Sequence, residues 1–132
     1  MGKLLVLLAL LQAKHLIIDW ILQPEWMWRN KGTYGHIGGI AHAALNAVFT
    51  SLCFLLVTNN LLLVLVVDFI AHYHIDWAKM NITRITKWGP TTSPKFWWLT
   101  GFDQFLHQIT YILLIWLTYS LQATTTFTTR LY

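Results

Sequence analysis

Apolar runs of membrane-spanning length recur along this chain. They cover residues 3–23, then about 36–57, 61–78 and 99–122, and the first is ended by Pro24. A helix needs roughly 20 predominantly apolar residues to cross a hydrocarbon core about 30 Å thick. In lipid, every backbone amide must find its partner inside the spanning segment, which leaves helices as the natural solution for such runs. The sequence therefore predicts an all-α protein, a single integral membrane domain over 1–132, built as a four-helix transmembrane bundle. Composition points the same way: 56% of the 132 residues are hydrophobic and 11% charged, against about 25% charged in a soluble domain. The first run opens like a signal peptide, but Lys14, His15 and Asp19 interrupt the stretch where a cleavage region is small and neutral. It reads as a retained helix.

The connections set the topology. Thr58, Asn59 and Asn60 form a short hairpin between the second and third spans. The longest loop joins the third and fourth and is broken by Gly89-Pro90 and Ser93-Pro94. Arg29 and Lys31 lie between spans one and two, and Lys79, Arg84, Lys87 and Lys95 between three and four, whereas the opposite side offers only Lys3, Arg130 and the chain ends. Lysine and arginine in short loops favour the cytoplasmic side. Both basic loops are expected there, with both termini outside. Trp20, Trp26, Trp28, Trp77, Trp88, Trp97 and Trp98 fall at the same predicted interface, as an aromatic belt would. The net charge of +4 thus marks headgroup contact rather than nucleic acid, for which there is no motif. Cys53 is the lone cysteine and lies in an apolar run, which excludes a disulfide framework and a thiolate metal site. The threonine-rich stretch 124–129 reads as an exposed β-prone or disordered tail.

Against this apolar background the acidic residues are misplaced. Asp19, Asp68, Asp76 and Asp103 all fall within or at the end of a span, and His15, His42, His72, His74 and His107 lie beside them. An aspartate near the centre of a membrane helix costs about 2.5–3.5 kcal/mol on insertion scales. Such groups must be paired, protonated, hydrated or bound to a cation. Four residues separate His15 from Asp19, Asp68 from His72, His72 from Asp76, and Asp103 from His107, and His42 from Asn46 as well. Residues four apart share a helix face. His74, two positions from His72, should point elsewhere, and His36 should sit at the interface. At about 1.5 Å per residue, the four histidines His15, His42, His72 and His107 all lie roughly 9–12 Å from the cytoplasmic end of their helices. Helices of alternating direction therefore bring them to one layer. Gly35, Gly38, Gly39 and Ala43 form a small-residue stripe leading into His42, as close helix packing would need.

The strings His15-x3-Asp19-Trp-Ile-Leu-Gln23-Pro-Glu-Trp-Met27, then Lys31 and His42, then His72-x3-Asp76-Trp-x-Lys79, and finally Phe102-Asp103-Gln104-x2-His107 resemble a family of small bacterial and phage membrane proteins. That family is known only as a domain of unknown function. The resemblance covers most of the chain. It implies one integral membrane domain with a recurring His/Asp set, and no particular activity. A similarity of pattern alone extends to membrane-bound metal-dependent hydrolases.

Three readings of the cluster stay open. In the first, His15, Asp19, His42, His72, Asp76, Asp103 and His107 bind one or two divalent ions. Imidazole and carboxylate ligands suit Zn, Mn or Fe, and helix bundles build such sites from facing side chains. A metal-activated water would then hydrolyse a lipid or phosphoester, with His72 and Asp76 as the catalytic pair and Lys31, Lys79 and Arg84 holding a phosphate. In the second, the Asp/His chain is a proton or ion pathway of a transporter or channel. In the third, the polar groups hold the helices in register, and the protein acts through a membrane-protein partner or as a homo-oligomer.

Overall fold

The computed structural model describes residues 2–129, and these fold into helices with no strand among them. Helix α1 (Gly2–Leu16) passes directly into a π-helical turn, Ile17–Ile21. A single turn, α2 (Glu25–Trp28), follows; then come α3 (Ile37–Phe54), α4 (Leu61–Thr86) and α5 (Pro94–Thr129). Helix α3 packs on α4, α4 on α5 and α1 on α3.

Three segments, Gly2–Ile21, Ile37–Phe54 and Leu61–Thr86, are long and apolar enough to cross a membrane. The chain has the make-up of a membrane protein. Helix α5 is not one of the three, although its 36 residues give it ample length. Asp103, Gln104, His107, Gln108, Thr110 and Tyr111 dilute its apolar character.

Helix ends depart from the sequence expectation in four places. The third span continues well past 78, and α4 stops only at Thr86, where Lys87 adopts a left-handed conformation (φ 56°). Lys79 and Arg84 are therefore helical rather than in a loop. Helix α5 starts at Pro94, because proline fits the first turn of a helix, where no N–H is needed. It also runs through Thr129, so the threonine-rich stretch is helical and not β-like. Finally, the first span does not stay α-helical up to Pro24. Proline has no N–H for the carbonyl of Trp20, and the preceding turn widens so that Leu22 N bonds Ile17 O at 2.8 Å. The side chain of Gln23 turns back, and its Nε2 donates to the carbonyl of Asp19 at 2.9 Å.

Polarity runs inside out. Among the described residues, sixteen polar or charged residues are buried and ten hydrophobic ones. Leu5, Leu10, Phe49, Leu52, Val66, Ile70, Phe105 and Ile112 face outward. One apolar cluster, Leu7, Leu11, Phe54, Val64, Tyr111 and Leu114, fills the end of the bundle nearer the α3–α4 hairpin. The other end is mainly polar, with Ile18, Ala43 and Tyr73 also buried there.

The loop between α1 and α3 is fixed in place by glycine and asparagine. A Cβ on Gly38 would lie 2.5 Å from the carbonyl oxygen of Trp26, so only glycine lets that loop fold down on the start of α3. Gly35 adopts φ +76°, and its N–H donates to Tyr73 Oη at 2.6 Å. Asn81 of α4 clamps the same loop, donating to the carbonyl of Gly32 at 2.9 Å. The small-residue stripe thus packs against the preceding loop, and the result is that Lys31 is driven into the bundle.

Candidate metal centre

Each of the four long helical segments contributes one histidine to a single layer. Ring centroids lie 4.2 Å apart for His72 and His107, 5.0 Å for His42 and His72, and 5.2 Å for His15 and His107. The i,i+4 partners come with them. His42 Nε2 and His72 Nε2 are 3.0 Å apart. Asp19 Oδ1 stands 3.3 Å from the first and 3.5 Å from the second. Asp76 Oδ2 stands at the same two distances. Four lone-pair atoms thus crowd around one short edge, with a carboxylate on each side. Ligand atoms about 2.0–2.1 Å from a tetrahedral ion lie about 3.3–3.4 Å from one another. Each triangle therefore has the dimensions of one face of such a coordination shell.

Among the described residues, two overlapping groups could hold a metal ion: Asp19, His42 and His72, and His72, Asp76 and His107. His72 belongs to both. His107 Nε2 lies 3.6 Å from Asp76 Oδ1 and 3.6 Å from Asp103 Oδ1, too far for a hydrogen bond to either, and it has no other partner among the described residues.

The remaining sequence candidates take other places. His15 has both ring nitrogens engaged, Nδ1 with Tyr111 Oη at 3.0 Å and Nε2 with Gln104 Oε1 at 2.7 Å. It flanks the centre and is not one of its metal-capable groups. Asp103 also flanks it, one oxygen accepting from Gln104 Nε2 at 3.0 Å. Lys31 does not stand free: its Nζ is 2.7 Å from Asp76 Oδ2. Lys79 lines the cleft described below and lies over the Phe96 ring. Arg84 points away, with its guanidinium on Asn81 Oδ1 at 2.5 Å, and is exposed. His74 is outside the cluster, bonded to the Ile70 carbonyl at 2.7 Å and to Tyr34 Oη at 3.2 Å.

Below the centre lies a second polar layer that spacing alone does not reveal. Lys14 Nζ donates to Asn46 Oδ1 at 2.8 Å and to Tyr111 Oη at 2.9 Å, and reaches Asp68 Oδ2 at 4.0 Å. Thr50 Oγ1 donates to the same Asp68 oxygen at 2.8 Å. Asn46 joins the layers: its amide Nδ2 donates to Asp19 Oδ1 at 2.7 Å. The sequence signals for this layer were the spacings of Asn46 from His42 and of Asp68 from His72; neither points to Lys14. Taken together, four buried carboxylates (Asp19, Asp68, Asp76, Asp103) face two buried ammonium groups (Lys14, Lys31). Two negative charges remain for a divalent cation, or for imidazole protons, to balance.

A cleft of about 350 Å³ opens onto this layer from the polar end. Asp19, Trp20 and Gln23 form one wall, Asp76 and Lys79 a second, and Thr100, Asp103 and Gln104 of α5 a third. Trp20, Trp97 and Trp98 are exposed around the same end.

The chain was compared with protein families, curated proteins and solved structures. A family model described as a protein of unknown function, DUF3307, matches residues 6–132. No curated protein and no solved structure matches. The match takes in all four histidine-bearing helical segments and carries no activity with it. By a family match that leaves out only the first five residues, the chain belongs to the DUF3307 family.

Proposed function

We propose that this chain is a four-span membrane protein that binds a divalent cation at its His/Asp layer and uses it to hydrolyse a lipid or phosphoester. The fourth span is α5. Its polar residues Asp103, His107, Thr110 and Thr118 are buried in the bundle, while Phe102, Phe105, Ile109, Ile112, Leu113 and Trp116 face outward. The dilution in α5 is therefore on its inner face, where lipid does not reach. The basic loops lie on the cytoplasmic side of a bacterial inner membrane, and the cleft opens there at headgroup depth, beside the exposed tryptophans.

One observation carries the metal reading: His42 Nε2 and His72 Nε2 only 3.0 Å apart, with a buried aspartate oxygen 3.3–3.5 Å away on either side. Lys31 meets this Asp76 oxygen and Asn46 this Asp19 oxygen, and the imidazole and carboxylate lone pairs left over favour a further cation. A bound Zn-type ion would supply a nucleophilic hydroxide near neutral pH. His72 would hold the ion. Asp76 would take the proton of the attacking water and return it to the leaving oxygen, as the new P–O bond forms and the old one breaks. A transmembrane proton path fits less well, because Leu7, Leu11, Phe54, Val64 and Leu114 fill the bundle beyond Asp68. A purely structural role would leave the two remaining negative charges to imidazole protons alone.

The test is the metal content, by elemental mass spectrometry, of protein purified in detergent without chelators or a histidine tag. Zn, Mn or Fe near one per chain is expected. It should vanish in His72→Ala and persist in His74→Ala. Well-folded wild-type protein that takes up none of these ions, even after incubation with them, would refute the metal centre.

A further inference from the structure

The cleft leading to the centre holds more acceptors than its own donors serve. Gln23 Oε1, Thr100 Oγ1 and Asp103 Oδ1 are buried atoms with no hydrogen-bond partner among the described residues, and all three residues line the cleft. Asp103 is itself 5% exposed. The amide nitrogen of Gln23 is engaged by the Asp19 carbonyl, and the other Asp103 oxygen by Gln104. What these two side chains have left to offer is therefore an acceptor. Buried acceptors without donors are rare and call for an explanation in a ligand or an ordered water. On the opposite wall Lys79 has no carboxylate within ion-pair distance among the described residues, in contrast to Lys31, which is held by Asp76. The cleft thus sets a lysine that meets only the Phe96 ring opposite two unmet acceptors and one unmet hydroxyl.

Its position favours a ligand already in the membrane. Helices α1 and α5, which bound the cleft on one side, meet through polar side chains: Gln12 Nε2 donates to Gln108 Oε1 at 2.5 Å, His15 bonds Gln104, and Lys14 bonds Tyr111. The Gln12–Gln108 pair is exposed on the outer surface. The apolar surface beside the cleft comes instead from Trp20, Trp97 and Trp98, which are exposed around the same end.

We propose that the cleft binds the headgroup of a phospholipid that carries its own hydrogen-bond donor, an ethanolamine ammonium. The phosphate faces Lys79, and the ammonium faces Gln23, Thr100 and Asp103. The assignment rests on the membrane placement proposed above and is independent of whether the histidines hold an ion.

The test uses full-length protein in nanodiscs of equimolar phosphatidylethanolamine and phosphatidylcholine with identical acyl chains, and native mass spectrometry of the retained lipid. Choline is the matched control because its quaternary nitrogen has no N–H to donate. Enrichment of phosphatidylethanolamine by about tenfold is expected, the scale of one charge-assisted hydrogen bond made rather than left unmade. Gln23→Leu and Thr100→Val, checked for monodisperse elution, should each lower that enrichment several-fold. Equal retention of the two lipids would overturn the proposal. So would a preference for choline, which the ring faces of Trp20 and Trp28 would produce. Displacement of the lipid by free phosphoethanolamine at equal concentration would overturn the lipid as the source. Metal content is read on the same samples. Enrichment absent with metal present removes this proposal alone; metal absent with enrichment present removes the metal centre alone.

Discussion

Replacing Lys14 with methionine tests the deeper polar layer, and the structure sets the size of the effect. The ammonium group of Lys14 serves Asn46 Oδ1, Tyr111 Oη and, at 4.0 Å, Asp68 Oδ2. Methionine keeps most of the side-chain volume and removes the charge. Asp68 would then retain only Thr50 as a donor, in a position 1% exposed. Breaking a buried ion pair by deleting one partner costs about 3–5 kcal/mol, because a charge is left without compensation. At roughly 2.1 cal/mol/K per residue of unfolding entropy, that corresponds to a fall of about 10 °C or more in melting temperature. The assay is thermal unfolding in detergent followed by tryptophan fluorescence. The double variant Lys14→Met/Asp68→Asn keeps the Thr50 hydrogen bond and removes the stranded charge, so it should recover most of the loss. A single variant as stable as wild type, or a double variant no better than the single, would show that Lys14 does not neutralise Asp68.

Two further outcomes follow from the loop and the topology. Gly38→Ala places a methyl group 2.5 Å from the Trp26 carbonyl, which should cost about 1–3 kcal/mol in overpacking and draw Lys31 away from Asp76. Lower thermal stability together with altered metal content checks it, and an unchanged protein would mean that the loop is not seated by this contact. In a Cys53→Ser background, Lys87→Cys should react with a membrane-impermeant thiol reagent from the cytoplasmic side and Asn59→Cys from the other; the reverse pattern would invert the proposed orientation.

The histidine layer was legible because helix geometry is rigid: residues four apart share a face, and depth can be counted at a fixed rise per residue. Other features leave no such mark. The π turn at Ile17–Ile21 changes a hydrogen-bond register without changing composition, and only Pro24 hints at where the helix must yield. Lys31 lies 45 positions from Asp76, so their ion pair depends on the loop folding back over Gly38; read alone, Lys31 resembled a free phosphate ligand. Arg84 was misplaced for a different reason. Helix α4 simply continues past the apolar run, and the continuing helix turns that residue outward onto Asn81. For Lys14 the sequence names no partner; tertiary packing supplies Asn46 of α3, Asp68 of α4 and Tyr111 of α5. Helix α5 shows the general difficulty: averaged hydropathy cannot separate an inner polar stripe from an outer apolar one, although the two faces meet quite different surroundings.

The placement of the two buried lysines has a consequence for how such a bundle is made. Lys14 precedes its partner Asp68 along the chain, and Lys31 precedes Asp76. Synthesis runs from the N-terminus, so both cations leave the ribosome before the acids they neutralise. When α4 reaches the insertion machinery with two carboxylates on one helix, their counterions are already in place on the segments ahead of it. A reversed order would add two carboxylates to Asp19, which the first segment already carries. The sequence of charges therefore doubles as an assembly schedule, in which the costliest helix enters after its partners.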